Sequence, residues 1–306
     1  MNFNSDLLFE VSLGVKGKQE GYKKQTFLGK FDLIKTHIEI ENEKGAKILG
    51  RDVGSYTSIF IDKLDPYNTE IKNYVIFSLS EIIKDYIQKV CKNAKTFMVV
   101  GVGNKNYVSD SIGPEVLSQI IITRHAKINN PKVLDSRLKS VCAISPSVLG
   151  VTGIETIDIV CGVCEKVKPD IIIVIDSILA NSYNYIGKCF QISTNGLVPG
   201  SGVDNTQKKL DANSLKTPVI SIGVPLVVSC ASIAKEYLEN FDSKLENLIV
   251  TKKDIDIIVS TCANIVATSV NMAIHNKMCF DEIIDYMNWY IILTWLLLTL
   301  SVWINL

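Results

Sequence analysis

The chain has 306 residues, of which 47% are hydrophobic, and its 32 basic and 32 acidic residues give a formal net charge of zero. This composition is sufficient for a large globular core, and the balanced charge excludes a long-range field that would attract nucleic acid or an anionic membrane. The start, MNFNSDLLFE, lacks the pattern of a secretory signal, and the eight cysteines have no regular spacing. We therefore expect a reducing, cytosolic compartment.

The first half of the chain predicts additions to a sheet edge and a long helix. Residues 20–60 are relatively polar and contain LIKTHIEIENEKGAKILGRDVGSYTSIFI, which indicates strands and a turn. Residues 68–92 then show apolar side chains at helical spacing. This helix is expected to cover one face of the sheet.

From residue 96 onward, apolar β-branched runs alternate with helical patterns. Strands are predicted at 96–104, 170–177, 189–193, 218–225 and 254–260. Helices are predicted at 112–125, 154–167, 229–241 and 262–276. This alternation predicts an α/β fold with a mostly parallel sheet and helices on both faces. We expect a single α/β domain over residues 7–285.

The last predicted element, 286–306, is an apolar tail without a charged residue. A stretch of about 18 or more apolar residues is long enough to cross a bilayer. Three interpretations remain: a membrane anchor, a helix packed on the domain or on a partner subunit, or an atypical tail.

Cysteine and histidine do not form a metal-binding pattern. Cys161 and Cys164 are separated by two residues, but no second pair or nearby histidine completes a tetrahedral site. Both thiols fall on an apolar helical stripe, so we interpret them as core residues. His37, His125 and His275 have no zinc-binding spacing, and neither a metal nor another cofactor is expected. His125 is interpreted as a polar residue at the end of a helix.

Two carboxylates follow or end predicted parallel strands. Asp110 lies in the loop after VVGVGN, and Asp176 comes directly after IIIVI. Ligands bind beyond the carboxyl ends of such strands, so both side chains could face one cleft. A close pair retains one proton near neutral pH and can activate water with one member while the other donates a proton. The alternative interpretation is that each aspartate caps a helix or turn.

Glycine-rich segments around the same edge offer backbone N–H groups for an anion or an extended peptide. Neither a complete dinucleotide fingerprint nor a phosphate-binding P-loop is present. Serine hydroxyls occur in this region, but no spacing pairs one with His125. The candidate binding or supporting residues are Gly103, Asn104, Ser145, Gly200, Ser201 and Gly202.

Five motifs follow one another over roughly residues 96–228: VVGVGNKNYVSDSIGPEVLSQIIITRH, ISPSVLGVTGIET, KPDIIIVIDSILA, ISTNGLVPGSGVDN and ISIGVPLVV. Together and in this order they resemble the spore germination protease family. The resemblance implies a homo-oligomeric endopeptidase, a tetramer in the family, that starts degradation of small acid-soluble spore proteins in the spore core. It also implies a three-layer fold similar to that of hydrogenase maturation proteases and phosphorylase-like proteins.

In this family the two proposed catalytic carboxylates of an atypical aspartic protease match Asp110 and Asp176. The resemblance further implies a zymogen whose short propeptide is removed by self-cleavage between an acidic and an aliphatic residue. Asp6 and Leu7 are similar to that junction, which would make residues 1–6 the propeptide. A departure is Ser229, where the family tends to have an aspartate, so a supporting polar contact is expected to be lost.

Two other functions remain open from the sequence. The stretch GVGNKNYVSDSIGPEV is also similar to the first motif of hydrogenase maturation endopeptidases, which use nickel in the partner protein to select the cleaved bond. The other alternative is an inactive, membrane-tethered relative that only binds peptides. No direct contact with nucleic acid is expected, and membrane contact through 286–306 is an open alternative.

Overall fold

The computed structural model describes most of the chain. The described residues are 5–15, 20–129, 131–132, 134–200, 208–238, 244–245 and 248–288. The predicted binding residues Ser201 and Gly202 lie outside these ranges, as do residues 1–4 of the expected propeptide and residues 289–306 of the apolar tail.

One sheet organises the described part of the chain. Its strands are β1 (Tyr22–Leu28), β2 (Ile34–Ile40), β3 (Gly54–Phe60), β4 (Thr96–Gly101), β5 (Ser140–Ile144), β6 (Ile171–Ala180), β7 (Cys189–Ser193), β8 (Val219–Ser229) and β9 (Ile249–Val250). They lie in the order β1, β2, β3, β7, β8, β6, β4, β5, and β9 pairs with β8.

The strand directions divide this sheet into two parts. Strands β8, β6, β4 and β5 pair in parallel. Strands β1, β2, β3 and β7 pair antiparallel, and β7 also meets β8 in an antiparallel pair. The α/β class is confirmed, and the parallel arrangement applies to the half that carries the two predicted aspartates. The strands predicted within 20–60 form the opposite edge.

Ten α-helices are bounded within the described residues. They are α1 (Leu8–Leu13), α2 (Glu43–Leu49), α3 (Thr69–Val90), α4 (Ile112–Leu117), α5 (Arg124–Asn129), α6 (Leu149–Thr152), α7 (Thr156–Val167), α8 (Ala212–Leu215), α9 (Cys230–Tyr237) and α10 (Ile255–Ile274). Residues 280–288 are also helical. The long helix predicted at 68–92 is confirmed as α3, where the Asn68 side chain accepts a hydrogen bond from Ile71 N–H.

Helices cover both faces of the parallel strands, as predicted. In β4, Phe97 and Val99 face the core formed with α3, α4 and α10, whereas Met98 and Val100 face the core formed with α7. This alternation follows from the two-residue period of a strand. Burying each of these side chains contributes about 1.5–3 kcal/mol, so the central strands fix the sheet from both sides.

The strand predicted at 254–260 is wrong, because these residues begin α10. The run is rich in β-branched residues, but it continues without a break into 262–276 and packs as one helix against α3. Tertiary packing therefore overrides the local strand preference.

The single helix predicted at 112–125 is also wrong, since α4 and α5 are separate. The β-branched residues between them are held by long-range hydrogen bonds. Ile121 N–H donates to the Asn271 side-chain oxygen at 3.0 Å, and Val141 N–H donates to Thr123 Oγ1 at 2.9 Å. These partners replace the hydrogen bonds that a continuous helix would make. His125 consequently lies in the first turn of α5 and not at the C-terminal end of a helix.

Helix α10 is the one described helix that is long and apolar enough to cross a membrane. However, 67% of its most apolar window is buried inside the protein. It packs against α3 and α4 in the larger core. This burial is what a core helix of the fold requires.

Candidate active site

Asp110 is placed by a tight return of the chain after β4. The chain leaves the strand at Gly101, forms a short 3₁₀ turn at Val108–Asp110 and starts α4 at Ile112. Gly103 has φ +113°, and a Cβ there would lie 2.0 Å from the Asp110 carbonyl oxygen. The glycine is therefore required both by its backbone conformation and by the close approach.

The Asp110 side chain binds the loop and a neighbouring strand instead of capping α4. Its Oδ2 accepts a hydrogen bond from Asn104 N–H at 2.9 Å, and its Oδ1 accepts one from Ser177 Oγ at 3.1 Å. The N-cap of α4 is Ser111, which makes no side-chain capping bond. The helix-cap interpretation of Asp110 is thus wrong.

Asp176 lies inside β6 and not at its end, because the strand continues to Ala180. It pairs with Gly223 of β8, and its side chain is 2% exposed. Ser177 N–H donates to Asp176 Oδ1 at 2.8 Å, and Gly200 N–H donates to the same carboxyl group. The interpretation of Asp176 as a turn cap is therefore wrong.

Ser177 connects the two carboxyl groups. Its hydroxyl donates to Asp110, while its backbone N–H donates to Asp176. The sequence shows the serine next to Asp176, but only the adjacency of β4 and β6 brings it to Asp110. The signal that could have identified it is its position one residue after a strand aspartate.

Both aspartates have raised pKa values. Burial is the main cause for Asp110, opposed by the hydrogen bonds from Asn104 and Ser177. Burial raises the pKa of Asp176 well above its ordinary value, and the charge of Asp110 raises it further. Both directions favour the protonated form of the carboxyl group, and they do so most strongly at the buried Asp176.

The two carboxyl groups line one cleft of about 400 Å³. Gly103, Asn104 and Gly200 line it as well, so these predicted residues are brought together. Its apolar wall includes Tyr107, Leu149, Val227 and Ile249. Such a cleft can hold an extended peptide with apolar side chains beside a pair of acidic groups.

Ser145 is not brought into this cleft. It is exposed just after β5, an edge strand that the sequence analysis missed. Only Val141 is fully buried among the five residues of β5, so the strand has too short an apolar pattern to be recognised. The loop that follows reaches the cleft through Val148, Leu149 and Gly150 instead.

The residue pair Asp6–Leu7 lies against the end of β6, the strand that carries Asp176. Asp6 N–H donates to Leu179 O at 2.9 Å, and Leu7 is completely buried. The charge of Asp6 also raises the pKa of Asp176. The chain start and the acidic pair therefore meet at the same sheet edge.

Cys164 packs in the smaller core with Ile157 and Val160, as predicted. Burial raises the pKa of its thiol to about 11, so it is protonated near neutral pH. Ser229 is the N-cap of α9 and accepts a hydrogen bond from Ser232 N–H at 3.2 Å. Ser229 therefore makes a helix-capping hydrogen bond at the position where the family tends to have an aspartate.

We expect Gly103→Ala to destabilise the protein by about 3 kcal/mol, because the new methyl group meets the Asp110 carbonyl and the backbone is strained. Urea unfolding of the purified chain measures this change. Gly162→Ala is the matched control, since a Cβ at this position in α7 meets no atom within 4 Å. Equal unfolding midpoints for Gly103→Ala and the parent would contradict the tight return around Asp110.

Comparison with known proteins gives a consistent set of relatives. The family model described as germination protease matches residues 22–245. The germination protease of Clostridium perfringens is 34% identical over 295 residues, covering 84% of this chain and 89% of that protein. The germination protease of Clostridium tetani is 32% identical, covering 83% of this chain and 88% of the relative. That of a Geobacillus species is 38% identical over 205 residues.

Among solved structures, the chain is similar to the NiFe hydrogenase maturation protease HycI from Thermococcus kodakarensis. The match is 16% identical and covers 62% of this chain and 98% of the other, with a TM-score of 0.33. Because this superposition is limited, we assign the α/β architecture of the chain from its own sheet topology.

Proposed function

The chain belongs to the germination protease family, and on this premise we propose that it is an endopeptidase that starts degradation of small acid-soluble spore proteins during germination. Asp110 and Asp176 supply the acid–base chemistry. The observation that supports this most is that both carboxyl groups line one cleft and are connected through Ser177.

The two aspartates have different roles in this proposal. Asp110 is partly exposed and accepts two hydrogen bonds, which favour its ionised form. As the carboxylate, it takes a proton from a water molecule whose oxygen attacks the peptide carbonyl carbon. Asp176 is buried and holds a proton, which it donates to the carbonyl oxygen. Collapse of the tetrahedral intermediate breaks the C–N bond, the proton taken by Asp110 goes to the leaving amine, and the hydroxyl proton returns to Asp176 as the carbonyl group re-forms.

Self-processing is the second part of the proposal. We place the cleaved bond between Asp6 and Leu7, which makes residues 1–6 a propeptide. The position of this pair beside Asp176 supports the assignment, because the segment is already held at the sheet edge that carries the acidic groups. Cleavage would release the charge of Asp6 from the neighbourhood of Asp176.

Assembly and location complete the proposal. We place the protein in the spore core as a homotetramer. Phe27 and Leu28 on the edge strand β1 are 53% and 74% exposed, which supports burial of this edge by a second copy.

Purified full-length chain incubated with a purified small acid-soluble spore protein tests the proposed activity. We expect self-cleavage after Asp6, followed by cleavage of the spore protein after an acidic residue, both measured by mass spectrometry. Addition of a chelator should leave the rates unchanged. A spore protein with alanine at the acidic position of each cleaved bond is the matched substrate control.

Other outcomes would support other functions. Cleavage that requires nickel would favour a hydrogenase maturation endopeptidase. Binding of the spore protein without cleavage, by a chain whose residues 1–6 have been removed, would favour the inactive relative. Either result contradicts the proposed protease.

A further inference from the structure

Residues 5–10, which we call the N-terminal segment, lie in a groove beside β6 and β7. Asp6 N–H donates to Leu179 O at 2.9 Å, and Leu179 N–H donates to Asp6 Oδ2 at 3.0 Å. At the other end of the segment, Glu10 accepts hydrogen bonds from the N–H groups of Asn181 and Ser182 at 2.9 and 3.1 Å. The end of β6 thus binds the backbone at Asp6 and two acidic side chains, that of Asp6 and that of Glu10 in the first turn of α1.

Gln191 of β7 holds the backbone on both sides of the Asp6–Leu7 bond. Its Nε2 donates to Asp6 O at 2.8 Å, and its Oε1 accepts from Leu8 N–H at 2.7 Å. A single side-chain amide therefore contacts the carbonyl of this bond and the second N–H after it. Both contacts are to backbone atoms, so they are available to any peptide sequence.

The side chains of the segment are received differently. Leu7 packs completely buried against Ile178, Ala180 and Cys189. Asp6 instead faces the guanidinium group of Arg51, whose Nη2 lies 3.6 Å from Asp6 Oδ1. This cation lines a cavity of about 260 Å³ together with Asp6 and Gln191.

Arg51 also contacts the backbone of the segment, because its Nη2 donates to Ser5 O at 2.8 Å. The arginine is therefore fixed to the residue before Asp6 and is only 34% exposed. A partly desolvated cation in this position favours a carboxylate over an uncharged side chain of the same shape.

We propose that Arg51 selects an acidic residue immediately before the cleaved bond, in the N-terminal segment and in protein substrates, while Gln191 positions the backbone of that bond. This inference rests on the proposed protease function and deepens it. It assigns specificity to a charged residue outside the aspartate pair. Arg51 acts on the residue beside the cleaved bond and takes no part in proton transfer.

The first test measures hydrogen exchange in the full-length chain and does not depend on activity. Arg51→Gln should increase exchange at Leu179 N–H, which Asp6 protects, by about tenfold, the effect of losing one charge-assisted contact. Arg137→Gln is the matched control. The substitution removes the ion pairs of Arg137 with Asp135 and Glu282. Arg137 lines neither the cavity beside Asp6 nor the cleft with the two aspartates.

The second test compares two peptides with the sequence of residues 1–13, one with Asp and one with Asn at the sixth position. The processed parent should cleave the Asp peptide with a kcat/KM about tenfold higher. Arg51→Gln should bring this ratio near one, and Arg137→Gln should leave it unchanged. Arg51→Glu should prefer a peptide with Lys at that position.

The outcomes separate the inference from the function on which it rests. If Arg51→Gln keeps both the parental exchange at Leu179 and the parental peptide preference, the assignment of Arg51 is overturned. If the parent cleaves neither peptide nor any spore protein, the proposed function fails. The exchange measurement then decides by itself whether Arg51 holds the acidic residue.

Discussion

Asp110→Asn and Asp176→Asn are each expected to lower the rate of the proposed spore-protein cleavage by about a thousandfold. A positioned acid or base typically accelerates a reaction by about 10²–10⁴-fold, and an amide can neither take a proton from water nor donate one as an acid. Asparagine preserves the size of the side chain and keeps one acceptor oxygen. At position 110 this oxygen can still accept from Asn104 N–H, while the new amide NH2 faces Ser177 Oγ, which can accept in its turn. The loss is therefore expected in kcat, with a smaller change in KM.

The matched control for these variants is Asp158→Asn, an identical substitution at an exposed position of α7. It should cleave at the parental rate. The double variant should be no slower than the slower single variant, because the effects of two groups that act as a unit in one chemical step are not additive. A parental rate in either single variant would remove the aspartate pair from the mechanism, and circular dichroism establishes that each variant is folded.

The central part of this site could be predicted because it depends on local patterns. The apolar runs that form β4 and β6 are both covered by helices, and such strands predict parallel neighbours. Carboxylates after or within those strands must then emerge at the same sheet edge. Asp110 and Asp176 were placed together in this way, and the structure brings both to one cleft. Their catalytic roles stay a prediction.

Other residues of the site could not be predicted because they depend on strand order. Gln191 belongs to β7, which inserts antiparallel between β3 and β8 and carries the amide to the N-terminal segment. Arg51 comes from the connection between α2 and β3. Neither position has a local pattern that distinguishes it from a solvated surface residue.

The wrong helix and strand predictions have the same physical origin. Asn271 lies on α10, yet it determines the conformation of Ile121 by accepting its backbone N–H. Such a contact across 150 positions of sequence has no signature in either segment. The β-branched runs therefore predict correctly that these residues are buried, but they do not predict the backbone conformation.

Asp176→Asn is expected to have the largest effect on stability, and this effect should depend on pH. The pKa of Asp176 is raised well above its ordinary value of 3.8, mainly by burial. At a pH between the ordinary pKa and the raised pKa, Asp176 is protonated in the folded protein but ionised in the unfolded chain. The contribution of Asp176 to the free energy of unfolding of the parent must therefore fall as pH rises above about 3.8, at up to about 1.4 kcal/mol per pH unit. Asparagine has no proton to lose, so its variant lacks this decline.

Urea unfolding of Asp176→Asn and the parent at intervals from pH 4 to pH 7 measures the effect, and their difference should increase steadily in favour of the variant. His275 contributes the opposite slope, because burial lowers its pKa to about 4, below its ordinary value of 6.5. This histidine is present in both proteins, so its contribution cancels in the difference. Asp158→Asn is again the control. A difference that does not change with pH would show that Asp176 is ionised in the folded protein, and the proton proposed for peptide hydrolysis would then have no donor.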